Sequence, residues 1–220
     1  VLKDYEKVLE IAHDFLEIKY HEAIPATIGK TNLYAMLENG EIIVGEDEID
    51  VPKKHNGDLK ISEIYLKPRV NAYYRALKVI KEADLISIGP GDLYSSLIPC
   101  FLPIGIKEEM QKTKAEKVFI CPPLIKYGET KGFSVLDFSN EIERYIGCSL
   151  DFVFYNINFK NRINRHNEKS LDGNIVKING DLNPNKFLGY DLLNEDDEIA
   201  YDSDRVAENL VKILELEEIR

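Results

Sequence analysis

The architecture of this chain can be read from one stretch, Leu85-Ile86-Ser87-Ile88-Gly89-Pro90-Gly91-Asp92-Leu93-Tyr94-Ser95-Ser96. Its first four residues form a short apolar run, which predicts a strand, and this strand leads directly into a glycine-rich turn. The preceding residues, 71 to 83, carry apolar side chains at helical spacing and predict a helix. Helix, strand and turn therefore follow one another in that order.

The same alternation continues along the chain. Further helices are predicted at Pro103 to Lys112, Ser134 to Ile146 and Asp202 to Leu216, and further strands at Lys117 to Cys121, Asp151 to Tyr155 and Asn174 to Ile178. An amphipathic opening helix is predicted from the spacing of Tyr5, Val8, Leu9, Ala12, Phe15 and Leu16. Alternation of helices and strands favours a parallel sheet with helices on its faces.

A hairpin is predicted near the start of the chain. Asn39-Gly40, the dipeptide best suited to a two-residue turn, joins the runs Thr31 to Glu38 and Glu41 to Glu46, and Ile61 to Leu66 predicts another strand. No Ser-, Gly- or Pro-rich linker divides the chain. We therefore predict a single α/β domain over residues 1–220, a three-layer, mostly parallel Rossmann-like sheet with helices on both faces and an added β-hairpin.

Composition excludes several classes of protein. The chain has 28 basic and 39 acidic residues, and the net charge of −11 argues against a nucleic-acid partner. No apolar stretch approaches the roughly 20 residues that a membrane span needs. The three cysteines, Cys100, Cys121 and Cys148, match neither a disulfide framework nor a metal pair, and no signal-peptide pattern is present. We predict a cytoplasmic protein with reduced thiols.

The turn after Ile88 is the first candidate for ligand binding. In an open parallel sheet, ligands lie beyond the carboxyl ends of the strands, and Gly89, Pro90 and Gly91 would let the backbone approach a ligand there. Tyr94, Ser95 and Ser96 add hydroxyl groups. Taken alone, the pattern favours an ordinary turn over a ligand loop. Asp92 would repel a phosphate, and a bridging metal would remove that conflict.

Two later loops are also candidates. Gly128, Glu129 and Thr130 offer a glycine turn, a carboxylate and a hydroxyl, but Ser134 with Asp137 could equally be a capping box for the next helix. Asn156 follows a strand, where its amide could read a base or a sugar hydroxyl, although asparagine is also common at strand ends.

The histidines and two charged clusters give weaker indications of a metal or ligand site. None of the histidines, His13, His21, His55 and His166, is spaced for a metal site with another His or Cys, and the acidic run from Glu195 to Glu198 is typical of solvated surface. The basic group Lys160, Arg162 and Arg165 could hold a diphosphate, yet a solvated face is favoured. No catalytic or metal-binding residue is assigned.

Several segments together carry a family resemblance. Residues Ala83 to Pro99 resemble the "ADLIVIGPGSLYTSIIP" stretch of the YvcK-like gluconeogenesis factors, and Gly128 to Phe133 resembles their "GETDGF" segment. Ile24 to Thr27 resembles "LPAT", and Leu37 to Glu46 resembles the "EDGTIVxGE" hairpin. The resemblance covers nearly the whole chain.

The resemblance implies a function. These proteins are related to CofD, the transferase that attaches phospholactate to a deazaflavin, but Gly91, Leu93 and Tyr94 favour the YvcK-like branch over the "GPSNPxTS" of the transferase. Members of that branch resemble nucleotide-sugar-binding regulators of cell shape and cell-wall synthesis, so a UDP-sugar is the implied ligand. The family's "GGTG" turn would lie before Val1, which makes this chain the C-terminal two-thirds of a CofD-like domain.

Departures from the family pattern imply weaker binding. Asp92 replaces the usual Ser, Lys131 the usual Asp and Phe138 the usual His, while the expected "RHD" reads Ala200-Tyr201-Asp202. We expect each of these positions to face the ligand.

Three functional hypotheses follow. The first is a UDP-sugar-binding regulator, the second a CofD-like transferase of a phosphorylated group, and the third a degenerate structural or interaction protein. The predicted ligand-binding residues are Gly89, Pro90, Gly91, Asp92, Tyr94, Ser95, Ser96, Gly128, Glu129, Thr130 and Asn156. No cofactor is assigned, although Mg²⁺ is expected if a diphosphate binds, and a homo-dimer is left open.

Overall fold

The computed structural model describes residues 7, 8, 11, 15, 22–159, 174–195 and 200–217. Most of the predicted opening helix and the basic group at 160–165 lie outside the described residues, while Val8 and Phe15 are helical and exposed. The strands are β1 (Asn32–Leu37), β2 (Ile42–Val44), β3 (Ile61–Lys67), β4 (Leu85–Ile88), β5 (Glu116–Ile120), β6 (Phe152–Asn156) and β7 (Phe187–Tyr190). The helices are α1 (Glu46–Asp50), α2 (Tyr74–Glu82), α3 (Ile106–Lys112), α4 (Val135–Ile146) and α5 (Ser203–Glu217).

The parallel sheet has the strand order β4-β5-β6-β7. Every neighbouring pair is parallel, with Ile88 opposite Phe119 and Ile120 opposite Phe154. Because the strands are parallel, their carboxyl ends meet at one edge of the sheet. The predicted α/β fold is confirmed, and this edge is where its candidate loops begin.

Helices cover both faces of this sheet. Successive side chains of a strand point to opposite faces, so Phe119 and Val153 pack in the larger core with α4, whereas Val118 and Phe154 pack in a second core with Ile213 of α5. Helix α4 begins at the predicted capping box, since the Ser134 hydroxyl accepts from the Asp137 backbone N–H.

The predicted hairpin is confirmed and belongs to a second, antiparallel sheet of order β2-β1-β3. Gly40 has a φ of 87°, which the tight turn between β1 and β2 requires. Tyr145 of α4 accepts the backbone N–H of Ile64 on β3 at 2.8 Å. Buried residues of both sheets lie in the larger core, so the antiparallel sheet packs against the α/β layers.

The predicted strand at Asn174 to Ile178 is wrong. Its backbone bonds instead to the loop after β5 and to the start of α4, through Ile125 N–H to Asn174 O, Val176 N–H to Pro123 O and Val135 N–H to Lys177 O. The backbone groups of residues 174–177 are thus paired outside the parallel sheet. The strand that pairs with β6 is Phe187–Tyr190, which the sequence pattern did not predict.

Candidate functional site

Three predicted loops begin at the same edge of the parallel sheet. They follow Ile88, the end of β5 and Asn156, the last residue of β6. Neighbouring strands lie about 4.8 Å apart, so the ends of β4 and β6 are about 10 Å from one another. A molecule of nucleotide size can therefore span the three loops.

The first loop depends on Gly89. This residue has a φ of 85°, and a Cβ atom there would lie 3.0 Å from the carbonyl oxygen of Ile120. Only glycine adopts this conformation without strain. The close packing places the Gly89–Asp92 turn directly against the end of β5.

A π-helical turn, Leu93–Leu97, follows the glycines, and Glu129 from the second loop caps it. The Glu129 carboxylate accepts the backbone N–H of Tyr94 at 2.7 Å, that of Ser95 at 3.2 Å and the Ser95 hydroxyl at 2.7 Å. Burial raises the pKa of Glu129, and the bonds from Ser95 and Tyr94 oppose that rise. The place where a ligand anion could meet this N-terminus is therefore filled by the protein's own carboxylate.

The side chains of Tyr94 and Ser95 point into the protein. Tyr94 is buried, donates its hydroxyl to Glu141 at 2.8 Å and packs against Phe133. Burial raises the pKa of Tyr94 far above its usual range. These two residues build the turn, while the neighbouring Ser96 is exposed and Asp92 is half-exposed. Direct ligand contact by Tyr94 or Ser95 stays a prediction.

Lys126 completes a charged cluster that the sequence did not predict. Its ammonium contacts the carboxylates of Asp50 and Asp92 and lies 3.8 Å from Glu129 Oε1. The hydrogen bond from Lys126 lowers the pKa of Asp50. Burial alone would lower the pKa of Lys126, but its bonds to Asp50 and Asp92 outweigh burial and raise it.

The three carboxylates of this cluster are also the candidate ligands for the Mg²⁺ ion expected with a diphosphate. One carboxylate oxygen from each of Asp50, Asp92 and Glu129 lies within 4.8 Å of the others, a spacing that a divalent cation accepts. The Lys126 ammonium already lies among these oxygens, and Glu129 uses both of its own for Tyr94 and Ser95. The residues present thus fit an ammonium more fully than they fit a metal ion.

The segment from Asp50 to Asp58 crosses over the second loop. A Cβ atom on Gly128 would meet the Pro52 ring at 2.3 Å, and Lys131 pairs with Asp58 at 2.6 Å. Within the second loop, the Thr130 hydroxyl accepts the backbone N–H of Lys126 at 2.9 Å. Glu129 and Thr130 are both buried, so this loop packs between the Asp50–Asp58 segment and the helical turn of the first loop.

Asn156 is the third candidate. It is 3% exposed, and its Oδ1 atom accepts the backbone N–H of Leu192 at 3.0 Å. Its amide nitrogen is buried and has no acceptor among the described residues. A buried donor without a partner is uncommon in proteins, which makes Asn156 a candidate for a further hydrogen bond.

Comparison with known proteins identifies the family. The model of the family described as "2-phospho-L-lactate transferase CofD" matches residues 1–217. The chain belongs to the CofD family. Within it, the chain is 31% identical over 217 residues to the "Gluconeogenesis factor" of Listeria innocua, with 96% of this chain and 64% of that protein covered. It is 30% identical over 206 residues to the "Gluconeogenesis factor" of Bacillus subtilis, covering 88% and 61%.

A solved structure agrees with this assignment. A Bacillus halodurans protein, a member of the UPF0052 family, superposes with a TM-score of 0.79 at 25% identity, covering 94% of this chain and 67% of that one. The chain spans less than two thirds of either curated relative named above. In the part of the chain that the structure describes, no helix is long and apolar enough to cross a membrane.

Not every position that departs from the family pattern faces the candidate site. Phe138 is buried in the core beside Phe119 and Phe133, so the expectation that it faces a ligand is wrong. Tyr201 donates its hydroxyl to the carbonyl oxygen of Cys121 at the end of β5, which puts it beside the candidate loops. Lys131 is exposed in its pair with Asp58.

Proposed function

We propose that this chain is part of a regulatory protein of the gluconeogenesis factor type that binds a UDP-sugar at the carboxyl edge of the parallel sheet. The proposed role is cytoplasmic and links the level of a cell-wall precursor to cell shape. No bond in the ligand needs to be broken for this role. The names of the relatives support the type of protein, and the arrangement of the loops supports the place of the ligand.

The observation that carries the proposal is the amide nitrogen of Asn156, which is unpaired within the described part of the chain. It lies at the end of β6, two strands away from the Gly89 turn, and both belong to the edge where open parallel sheets bind ligands. A ligand acceptor at this position, a uracil carbonyl or a sugar hydroxyl, would satisfy the buried donor.

The polarity of the first loop favours the sugar part of a ligand over a bare phosphate. Glu129 occupies the N-terminus of the helical turn, so an incoming group meets the backbone of Gly89 and Gly91, the exposed Ser96 and the half-exposed Asp92. A carboxylate accepts hydrogen bonds from hydroxyl groups and repels phosphate. Ribose or sugar hydroxyls are therefore the proposed neighbours of Asp92.

A second candidate function is transfer of a phosphorylated group. The description of the family as a transferase and the three converging carboxylates of Asp50, Asp92 and Glu129 favour it. Such a reaction would use a guanosine diphosphate donor together with Mg²⁺, which would have to displace Lys126 from the carboxylates.

A panel of thermal-shift measurements separates these functions. UDP-N-acetylglucosamine, UDP-glucose and GDP are added with and without Mg²⁺. A ligand at one hundred times its Kd stabilises the folded state by about 2.7 kcal/mol, which raises the Tm of a chain of this length by about 5–10 °C. Stabilisation by the UDP-sugars alone supports the regulator, and stabilisation by GDP with Mg²⁺ supports the transferase. No shift with any nucleotide supports a non-binding structural protein.

A further inference from the structure

Lys126 joins three segments that are far apart in the sequence. Its ammonium contacts Asp50, which ends α1, and Asp92, which precedes the π-helical turn, and it lies 3.8 Å from Glu129 of its own loop. Its side chain is 28% exposed, so water screens these contacts only in part. One ammonium thus connects the antiparallel part of the protein to both glycine-containing loops.

Lys126 supplies the positive charge that holds three neighbouring carboxylates together at this junction. Three carboxylates lie with one oxygen each inside 4.8 Å, and like charges at that separation repel strongly when they are partly buried. Across the described ranges, Lys126 is the one cationic side chain within ion-pair distance of any of the three. Glu129 is fixed by its bonds to Tyr94 and Ser95, and Asp50 also lies 3.3 Å from the Ser95 hydroxyl. Asp92 is the most exposed of the three carboxylates, so repulsion would displace it most easily.

Displacement of Asp92 would move the first loop. Its carbonyl oxygen accepts the backbone N–H groups of Ser96 at 3.1 Å and Leu97 at 2.9 Å, which makes Asp92 the N-cap residue of the helical turn. Gly91 precedes Asp92 in the chain, and a Cβ atom on Gly91 would lie 3.1 Å from the Leu97 side chain. A shift of the Asp92 backbone is therefore passed to the glycines and to Ser96.

We propose that Lys126 is the positioning residue of the ligand cleft, because it neutralises Asp92 and ties the Gly89–Asp92 turn to Asp50. This inference rests on the proposed function. Lys126 acts through Asp92 and makes no contact with the ligand. The exposed pair Lys131–Asp58, five residues further along the same loop, has no such link to the turn.

A double-mutant cycle on ligand affinity tests this role. The Kd for UDP-N-acetylglucosamine is measured by calorimetry for the wild type, Lys126→Met, Asp92→Asn and the double variant. Lys126→Met is expected to weaken binding about tenfold or more, because it leaves Asp92 unpaired. The double variant is expected to bind nearly as Asp92→Asn alone does, since the turn then has no carboxylate for Lys126 to neutralise. Lys126→Arg is expected to bind nearly as the wild type does. Lys186→Met is the matched control without effect, because it removes a similarly buried ammonium from its pair with Glu143 at the amino end of β7, opposite the candidate loops.

The outcomes separate this inference from the proposed function. Binding by Lys126→Met within twofold of the wild type overturns it. A Lys126→Met change that costs as much affinity in the Asp92→Asn background as in the wild type also overturns it. If Lys126→Met alone does not fold, a folded double variant that binds supports the inference, and a double variant that is also unfolded overturns it. A wild type that binds no UDP-sugar removes the proposed function itself, and the positioning role with it.

Discussion

The Oε2 atom of Glu129 lies 2.7 Å from the backbone nitrogen of Tyr94, so the second candidate loop caps the helical turn of the first. The two residues are 35 positions apart in the sequence, and their contact joins the two candidate loops. It also means that the helix N-terminus is already neutralised when a ligand arrives.

Removal of this cap should destabilise the protein. Glu129→Ala leaves the N–H groups of Tyr94 and Ser95 without their acceptor and leaves the Ser95 hydroxyl only the longer bond to Asp50 at 3.3 Å. We expect a loss of about 2–4 kcal/mol in the free energy of unfolding. Glu129→Gln keeps one acceptor oxygen and should lose less. Urea denaturation monitored by circular dichroism measures both, and an unchanged midpoint for Glu129→Ala would contradict the role of the cap.

The stability of the wild type relative to Glu129→Gln should depend on pH with a definite sign. Burial raises the pKa of Glu129 above its ordinary value of 4.5, so the folded protein binds this proton more tightly than the unfolded chain does. The contribution of this proton is therefore fully present below 4.5 and is lost as the pH rises through the folded pKa. Unfolding free energies measured from pH 4 to 7 should show the advantage of the wild type shrinking. An advantage that grows with pH would refute the assignment.

The close approach of the first loop to β5 can be measured with two glycines. Gly89 and Gly40 both have positive φ, at 85° and 87°, but a Cβ atom on Gly40 meets nothing within 4 Å. Alanine should cost about 1–2 kcal/mol for its backbone conformation at either position. Gly89→Ala should cost about 1–2 kcal/mol more, because its Cβ atom meets the carbonyl oxygen of Ile120. Equal midpoints of urea unfolding for the two variants would show that this contact does not matter.

A buried hydroxyl in α4 provides a contrast with Asn156. Ser139 is completely buried, and its Oγ atom has no partner among the described residues, but it lies within a helix and not at the end of a strand. Ser139→Ala should leave stability unchanged or raise it by up to about 1 kcal/mol. It should not alter the affinity for UDP-N-acetylglucosamine in calorimetry. A loss of affinity in this variant would contradict the distinction between Asn156, at the end of a strand, and Ser139, inside a helix.

The sequence predicts those parts of the fold that depend on neighbours in the chain. Strand β4 is predicted because an apolar run is followed directly by glycines. The Asn39-Gly40 turn and the Ser134 cap are also predicted from adjacent residues. Strand β7 was missed since it is only four residues long and contains Gly189. Long-range pairing decides the rest: Lys126 and Asp50 are 76 residues apart, and no local pattern could connect them.

For the candidate site, the sequence predicts where the loops lie but not which of their side chains are exposed. The loops after Ile88 and β5 and the residue Asn156 do meet at one edge of the sheet, as parallel strands require. Which side chains of those loops point outward depends on packing, so the burial of Tyr94 and Ser95 could not be read from spacing. The strand at Asn174 to Ile178 was wrong for the same reason, because the loop after β5 takes its backbone bonds.

A UDP-sugar is proposed to bind at Asn156, whose amide nitrogen has no acceptor among the residues that the structure describes. The most direct test of this proposal is calorimetric titration of UDP-N-acetylglucosamine into the wild type and into Asn156→Ala, with folding of both verified by circular dichroism. We expect saturable binding of one ligand per chain by the wild type and a Kd about tenfold or more higher for Asn156→Ala. Equal affinities, or no binding by a folded wild type at millimolar ligand, would contradict it.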